Sequence, residues 1–220
     1  MKFTKEFVEI LKNFSTISSQ MKFVPGAVQS VKHEQGTSFA IAETNVEIPE
    51  SFSIFSLQKL LSVLSLFDEP EIDINDRFLV INSTTDKRVC NYQLTNPDFI
   101  VHESNTEKYG RLRWDISFGL QYVDFSNMLK FANILKSEFI IFRGDGEKIY
   151  LEANNSNGNG DSGAIELGET EHTFKVVLNR ECLNLLDEEY QVMITKKGII
   201  SFQSPRIKYY FAFIKKESSV

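Results

Sequence analysis

Residues 155 to 166, NSNGNGDSGAIE, space their oxygen-bearing side chains like a calcium loop. Asn155, Asn157 and Asn159 alternate, Gly160 falls sixth and Glu166 twelfth. Three neutral amides stand where carboxylates would hold a hard dication, and the flanks read as strands rather than helices, so a hairpin loop is expected. His33, His102 and His172 are scattered, with no cysteine at ligand spacing. Cys90 and Cys182 lie too far apart for a zinc motif and are too few for a disulfide framework, and read as reduced, buried thiols of a cytosolic protein. Neither a GxxxxGK[ST] phosphate loop nor a GxSxG elbow is present. The plentiful carboxylates fall on turns and solvated faces. No catalytic residue, metal or cofactor is therefore expected, and the protein reads as a non-enzyme.

Cations carry the remaining signal. In FTKEFVEILKNFSTIS, residues 3 to 18, Lys5 and Lys12 are seven apart, which on a helix aligns them to within roughly 20°. Phe7, Val8, Ile10, Leu11 and Phe14 gather on the other side. This line of positive charge belongs to a chain of formal charge -6. Glu9 lies between the two lysines, so an ordinary salt-bridge ladder worth about a few tenths of a kcal/mol also fits. A helix over 124–136 buries Phe125, Met128, Ala132 and Leu135 and turns Lys130 outward, with Ser126, Asn127, Asn133 and Ser137 beside it. Lys59 stands on a helix within SLQKLLSVLSLF (56 to 67). Arg180 and Asn184 share a side of an expected helix in NRECLNLLDEE (179 to 189), and Lys136 serves the end of its own helix.

The elements that hold these cations repeat. Four times, an amphipathic helix precedes about three short strands: Met21–Val24, Val28–Lys32 and Ser38–Ala42; EIDI, RFLVI and VCNYQL; EFIIF, KIYLEA and a strand near Ala164 to Leu167; YQVMIT, IISFQ and IKYYFAFI. Gly-containing turns at 144–146 and 196–198 fit hairpins, because glycine accepts the positive φ they need. Two such units make about 110 residues, a domain's worth. The expected division is 1–105 and 106–220, with an extended, exposed connector near 102–112. At 42% hydrophobic residues the chain can bury a core in each half. No apolar run approaches the roughly 20 residues that cross a bilayer, and the N-terminus lacks a signal peptide's apolar stretch, so a soluble, intracellular protein is expected.

The run ILKNFSTISSQMKFVPG, residues 10 to 26, closely resembles the opening of the sliding clamps, or DNA polymerase processivity factors, of T-even-type bacteriophages. There too a helix ending in Leu-Lys-Asn-Phe leads through a Thr-Ile-Ser-like stretch into a hairpin. Collinear similarity continues through FSIFSLQKLLSVLSLFDEPEIDI, the Phe-Ser-x-x-Leu-Lys helix at 125–130, and the Asn-initiated segment at 179 with its Tyr190 strand. The resemblance implies an α+β DNA clamp fold: two similar domains, each with two helices packed on antiparallel β-sheet, assembled head to tail into a homotrimeric ring. Helices would line a hole around duplex DNA, with edge strands of one copy's first domain meeting the next copy's second.

On that reading Lys5, Lys12, Lys59, Lys130 and Arg180 face DNA, and the acidic remainder keeps the outside from binding it. Long lysine stems give sequence-independent attraction that permits sliding. Relatives tend to carry further basic residues near Asn133 and Asn184, so this hole is expected to be less positive than theirs. The implied partners are an ATP-dependent clamp loader, the replicative DNA polymerase and late-transcription factors, in the cytoplasm of an infected bacterial host. The polymerase's C-terminal peptide would dock in an apolar pocket near the connector. Tyr109, Trp114 and Phe118 lie in that neighbourhood, although the Trp and Phe also read as core. Two other readings fit the composition: an acidic structural or scaffold protein of α/β repeats, and a monomeric clamp-fold processivity factor that grips DNA directly. The second should show a strongly basic face, which this chain lacks.

Overall fold

The computed structural model describes residues 1–103, 106–155 and 161–220. Its contacts divide the chain into two compact units, Met1–Thr106 and Glu107–Val220.

Unit 1 starts with α1 (Lys5–Phe14), whose Phe7, Ile10, Leu11 and Phe14 are fully buried. Strands β1 (Met21–Phe23), β2 (Gly26–Lys32), β3 (Ser38–Ile48) and β4 (Phe52–Ile54) come next, then α2 (Leu57–Leu64) and the meander β5 (Glu71–Ile74), β6 (Phe78–Asn82) and β7 (Val89–Gln93). In β3 the buried Ala42, Thr44, Val46 and Ile48 alternate with exposed Glu43, Asn45 and Glu47, the period-2 pattern of a sheet with one wet face. α1 packs on β3 and α2. The Phe23 and Phe52 rings stack at 4.3 Å between the paired β1 and β4.

Unit 2 begins with one helical turn, α3 (Glu107–Gly110), then β8 (Ile116–Leu120), α4 (Tyr122–Ile134), β9 (Phe139–Asp145), β10 (Lys148–Asn154), β11 (Gly163–Glu169) and β12 (Thr173–Asn179). Strands β13 (Tyr190–Thr195), β14 (Ile199–Gln203) and β15 (Ile207–Ala212) complete it. All pairings are antiparallel, in the orders β11-β10-β9-β12 and β15-β14-β13-β8. α4 lies on β9, β10 and β11, with Phe125, Met128 and Ala132 inward.

The fourth expected helix does not form. Only Arg180–Cys182 makes a 3-10 turn, capped by Asn179, and residues 183 to 186 have no regular secondary structure. Leu183, Leu185 and Leu186 are all buried, a spacing that no single helix stripe supplies. Tertiary partners take over the backbone: the Leu186 N–H donates to Tyr209 Oη at 3.2 Å, and Tyr190 Oη donates to the Leu186 carbonyl at 2.8 Å. A helix here would also end on Asp187, Glu188 and Glu189, against its own dipole.

Other expectations also change. The connector is neither extended nor wholly exposed: Glu103 is 8% exposed and pairs with Lys32 at 3.1 Å, and residues 107–110 are helical, while 104–105 lie outside the described residues. Ser137 is fully buried rather than on α4's wet face, and Leu135 is only half-buried. Neither thiol is buried: both are free, Cys90 half-buried and Cys182 exposed on its turn. Of the calcium-like run, Asn157, Asn159 and Gly160 lie outside the described residues. Its flanks are strands as expected, the Glu166 carboxylate is held by Lys148 at 2.8 Å, and Asn155 Oδ1 accepts the Glu138 N–H. Among the described residues no cluster suited to a metal ion occurs, and no helix is long and apolar enough to cross a membrane.

Candidate nucleic-acid interface

Lys5, Lys12, Lys59 and Arg180 are presented by elements whose starts are fixed by a side chain, whereas α4, which carries Lys130, starts after Gln121 without a side-chain cap. Thr4 caps α1: its hydroxyl accepts the Phe7 N–H at 3.1 Å and donates to Asn45 Oδ1 at 2.8 Å. Asn45 Nδ2 in turn donates to Glu6 at 2.9 Å, which ties that carboxylate to β3. Lys5 and Lys12 are both exposed. They border a groove of about 350 Å³ with Phe3, Val8, Leu61 and Leu64, closed off by Asp68 and Glu69. Val8 thus shares the lysines' side, contrary to expectation. It lies three after Lys5 and four before Lys12, and such neighbours sit one above the other. Apolar surface lies beside both lysine stems, and charged heads remain in water in such settings.

Ser56 caps α2 by accepting the Lys59 N–H at 3.2 Å, and the Leu57 N–H donates to the Ser19 carbonyl at 2.6 Å, fixing α2 to the chain that leaves α1. Leu57, Leu60 and Leu64 face inward and leave Lys59 exposed. Its ammonium lies 5.8 Å from the Tyr92 ring centroid. Tyr92 Oη donates to the Ser56 carbonyl at 2.7 Å.

In unit 2, Lys130 projects from the exposed face of α4, beside Asn127. Arg180 comes from the 3-10 turn instead of a helix, and its Nη1 donates to Asn133 Oδ1. The neutral Asn133 therefore holds a guanidinium carried 47 residues away, which no helical pattern reveals. Asn184 is exposed in the irregular run that follows the turn. Lys5, Lys12 and Lys59 belong to unit 1, with the first two on one groove; Lys130 and Arg180 belong to unit 2 and flank Asn133 on α4 and its neighbouring turn.

Near the connector, Tyr109 and Trp114 both contact Tyr210, with ring centroids at 4.5 and 6.5 Å. Phe118 packs elsewhere in unit 2, between Phe142 and Phe174. Unit 1 adds a recess of about 450 Å³ at the connector, whose residues sequence reasoning did not name, with Val24, Pro25, Val28 and Ile41 as apolar lining and Lys22, His102 and Glu103 at its border. Burial, with Lys22 nearby, holds the His102 imidazole below its usual pKa of 6.5.

Among the described residues, the sheets β5-β6-β7 and β11-β10-β9-β12 each have one edge closed and one open, and the outer edges of β2 and β8 are open as well. In β5-β6-β7, residues Met1 and Lys2 close the β5 side: the Ile72 N–H donates to the Met1 carbonyl at 2.7 Å, and Lys2 bridges to Glu71. In β11-β10-β9-β12, the segment 214–219 closes the β12 side, with Lys175 and Ser219 exchanging hydrogen bonds at 2.7 and 2.8 Å. No described strand pairs with the outer edge of β7 or of β11. Exposed Val89 lies on β7 with Leu66 near it, through the bond from Arg88 to the Leu66 carbonyl; exposed Phe131 covers Gly163 of β11, with exposed Ile134 three residues further along α4. Long open edges with apolar flanks invite strand addition.

Comparisons with known proteins bear on the family and the fold. The sequence profile described as DNA polymerase processivity factor matches residues 4–102. The sliding clamp of Vibrio phage KVP40 is 25% identical over 218 residues, covering 96% of this chain and 98% of that protein. The sliding clamp of Escherichia phage RB69 is 34% identical over 76 residues, 34% of this chain and 33% of that protein. Among solved structures, the proliferating cell nuclear antigen of Thermococcus kodakaraensis superposes with a TM-score of 0.71 at 14% identity, covering 97% of this chain and 99% of its own. The Helicobacter pylori beta clamp, solved with a DNA ligase peptide, also gives 0.71, at 15% identity, over 97% of this chain and 65% of its own.

Proposed function

We propose that this chain, which belongs with the sliding clamps of T-even-type bacteriophages, closes into a ring of three copies around duplex DNA and tethers the replicative polymerase to it. A clamp holds and does not catalyse. The observation behind the ring is that β7 in one unit and β11 in the other each end a sheet whose opposite edge is closed by residues 1–2 or 214–219; β2 and β8 also end a sheet and lack the flanking exposed apolar side chains described for these two. A surface that joins head to tail needs two different, complementary edges on every copy, one per domain, with the domains at 1–105 and 106–220. Lys87 beside β7 and Glu169 on β11 would bring opposite charges together in such a pairing, while Arg88 and Glu166 are already held within their own units by Asp86 and Lys148.

Lys5, Lys12, Lys59 and Lys130, with Arg180 on its turn, face the duplex from α1, α2, α4 and the 180–182 turn. Their contacts go to phosphates and carry no base readout, which suits a ring that must slide. The 450 Å³ recess is the docking place for the polymerase's C-terminal peptide, its apolar lining taking side chains and Lys22 the terminal carboxylate. A peptide on the Helicobacter pylori clamp supports this class of partner. A clamp loader opens the ring, late-transcription factors use it as a mobile platform, and all of this takes place in the cytoplasm of an infected bacterium.

Light scattering at several concentrations tests closure. The expected particle is three times 25.3 kDa, dissociating on dilution. A monomer at every concentration, or wild-type protein lost from circular duplex as fast as from linear duplex, overturns the reading.

A further inference from the structure

In unit 2 the edge of β12 is covered by a loose piece of chain rather than by a further strand. Lys175 and Ser219 exchange backbone hydrogen bonds at 2.7 and 2.8 Å, the Val177 N–H donates to Ser218 Oγ at 3.0 Å, and the Ile214 N–H donates to the Val177 carbonyl at 3.0 Å. The N–H and C=O groups of both Lys175 and Val177 are thus taken, and these residues are the ones in mid-strand that point away from β9. The cover is firm only where it begins. There Phe213 is buried and its N–H donates to the Gly198 carbonyl at 3.1 Å. Residues 215 to 219, KKESS, bring no apolar side chain, and Lys215, Lys216, Glu217 and Ser219 are exposed. What lies beneath is different. In TFKVVLN, Phe174, Val176, Val177 and Leu178 are buried, beside a single charge and no proline. Such a run with a bare edge is a template for another strand.

We infer that 214–219 is a displaceable strap over a strand-pairing surface, and that the partner this surface fits is β12 of a second copy. Identical strands that pair antiparallel do so about a two-fold axis, so one joint serves both copies. Centred on Val176, the pairing sets Lys175 of each copy opposite Val177 of the other. Those are the residues whose backbone groups the strap now holds, so a second copy replaces its bonds in kind. The same register keeps the two Lys175 ammoniums from standing directly opposite each other, where like charges destabilise a pair. Strap and second copy exclude one another, and a copy with its strap in place keeps the joint shut. This two-fold joint is separate from the head-to-tail contact proposed above and does not depend on it.

Trypsin reads the strap and light scattering reads the joint, both on the full-length chain. Cleavage after Lys215 requires the strap to leave β12, and its rate tracks the open population. Ser218→Ala removes the acceptor of the Val177 N–H, and Ser219→Pro removes the N–H given to the Lys175 carbonyl. Together they should speed that cut about 10- to 100-fold, and Ser218→Ala alone about 3- to 10-fold, the effect of one hydrogen bond. Cleavage after Arg143 in β9 and Lys148 in β10 should not change, which shows that the unit stays folded. As concentration rises, the double variant should reach at least twice the particle mass of wild type, whatever that mass is. Should the proline unfold the unit, Ser218→Ala alone carries the same two readings. Wild type cut after Lys215 as fast as the variants overturns the strap. A faster cut with the mass unchanged at every concentration overturns the second copy as its partner. A monomeric wild type whose variant becomes a dimer leaves the joint standing and removes the ring.

Discussion

The two units diverge at one corresponding place, after β4 in the first and after β12 in the second. Both chains leave the strand through a cap, Ser56 accepting the Lys59 N–H and Asn179 accepting the Glu181 N–H. In unit 1 the buried leucines fall at 57, 60 and 64, one helix stripe, and α2 forms. In unit 2 they fall at 183, 185 and 186, and the turn stops after Cys182. A cap starts a helix, but the spacing of the apolar residues after it decides whether the helix continues. Each choice also sets how a cation is held: Lys59 stands on a helix above Tyr92, whereas Arg180 sits on a short turn and is steadied by Asn133.

Core truncations should break the symmetry most. Phe125 is the large buried anchor of α4, so Phe125→Ala is expected to cost about 3–5 kcal/mol. Leu60→Ala in α2, with α1 still packed alongside, should fall at the lower end of about 2–5 kcal/mol. Denaturant midpoints for both variants check the order; equal losses would mean that α4 has support beyond its contacts with β9, β10 and β11.

Hydroxyl deletions come next. Tyr209→Phe leaves the buried Leu186 N–H without an acceptor and should cost about 1–3 kcal/mol, whereas Tyr92→Phe removes a donor to the Ser56 carbonyl and should cost about 0.5–1.5 kcal/mol. If Tyr209→Phe proved harmless, tertiary capture of the Leu186 backbone would not explain the missing helix.

The pH dependence should split in a similar way. Burial raises the Tyr190 and Tyr209 hydroxyls well above their usual value of 10. A raised folded-state pKa gives stability that is fully present below pH 10 and lost as pH climbs past it. Tyr92 in unit 1 shifts the same way by less. His102 is depressed below 6.5, so its contribution is full above that pH and lost as pH falls through the folded-state value. Probes placed in each unit should report alkaline weakening mainly in unit 2 and mild-acid weakening in unit 1. The smallest effect on stability is expected from Lys5→Glu with Lys12→Glu, within about 0.5 kcal/mol, while retention on circular duplex drops. Unimpaired retention would remove α1 from the DNA-facing wall.

Sequence reading reached those parts of the fold where pattern and position coincide. α1 and α2 were legible from their apolar stripes and the hairpins from Gly146 and Gly198, both at positive φ, while of β3 only Ser38–Ala42 was expected and the strand runs on to Ile48. The features that escaped depend on residues far apart in the chain. Tyr209 lies 23 positions from Leu186 and Asn133 lies 47 from Arg180. Nothing local announces that residues 1–2 and 214–219 close sheet edges. For the candidate interface, type and spacing identified the exposed cations but not the groove beside Lys5 and Lys12. They also placed Val8 on the wrong side, where counting three and four residues along the helix would have corrected it.

The bare margins of β7 and β11 have a practical consequence. Amide protons that point away from a sheet exchange with heavy water at the pace of a loop, and slow sharply once another strand covers them. Deuterium uptake along those two strands, followed by mass spectrometry without any label, would therefore report whether a second copy covers them and how often it lets go.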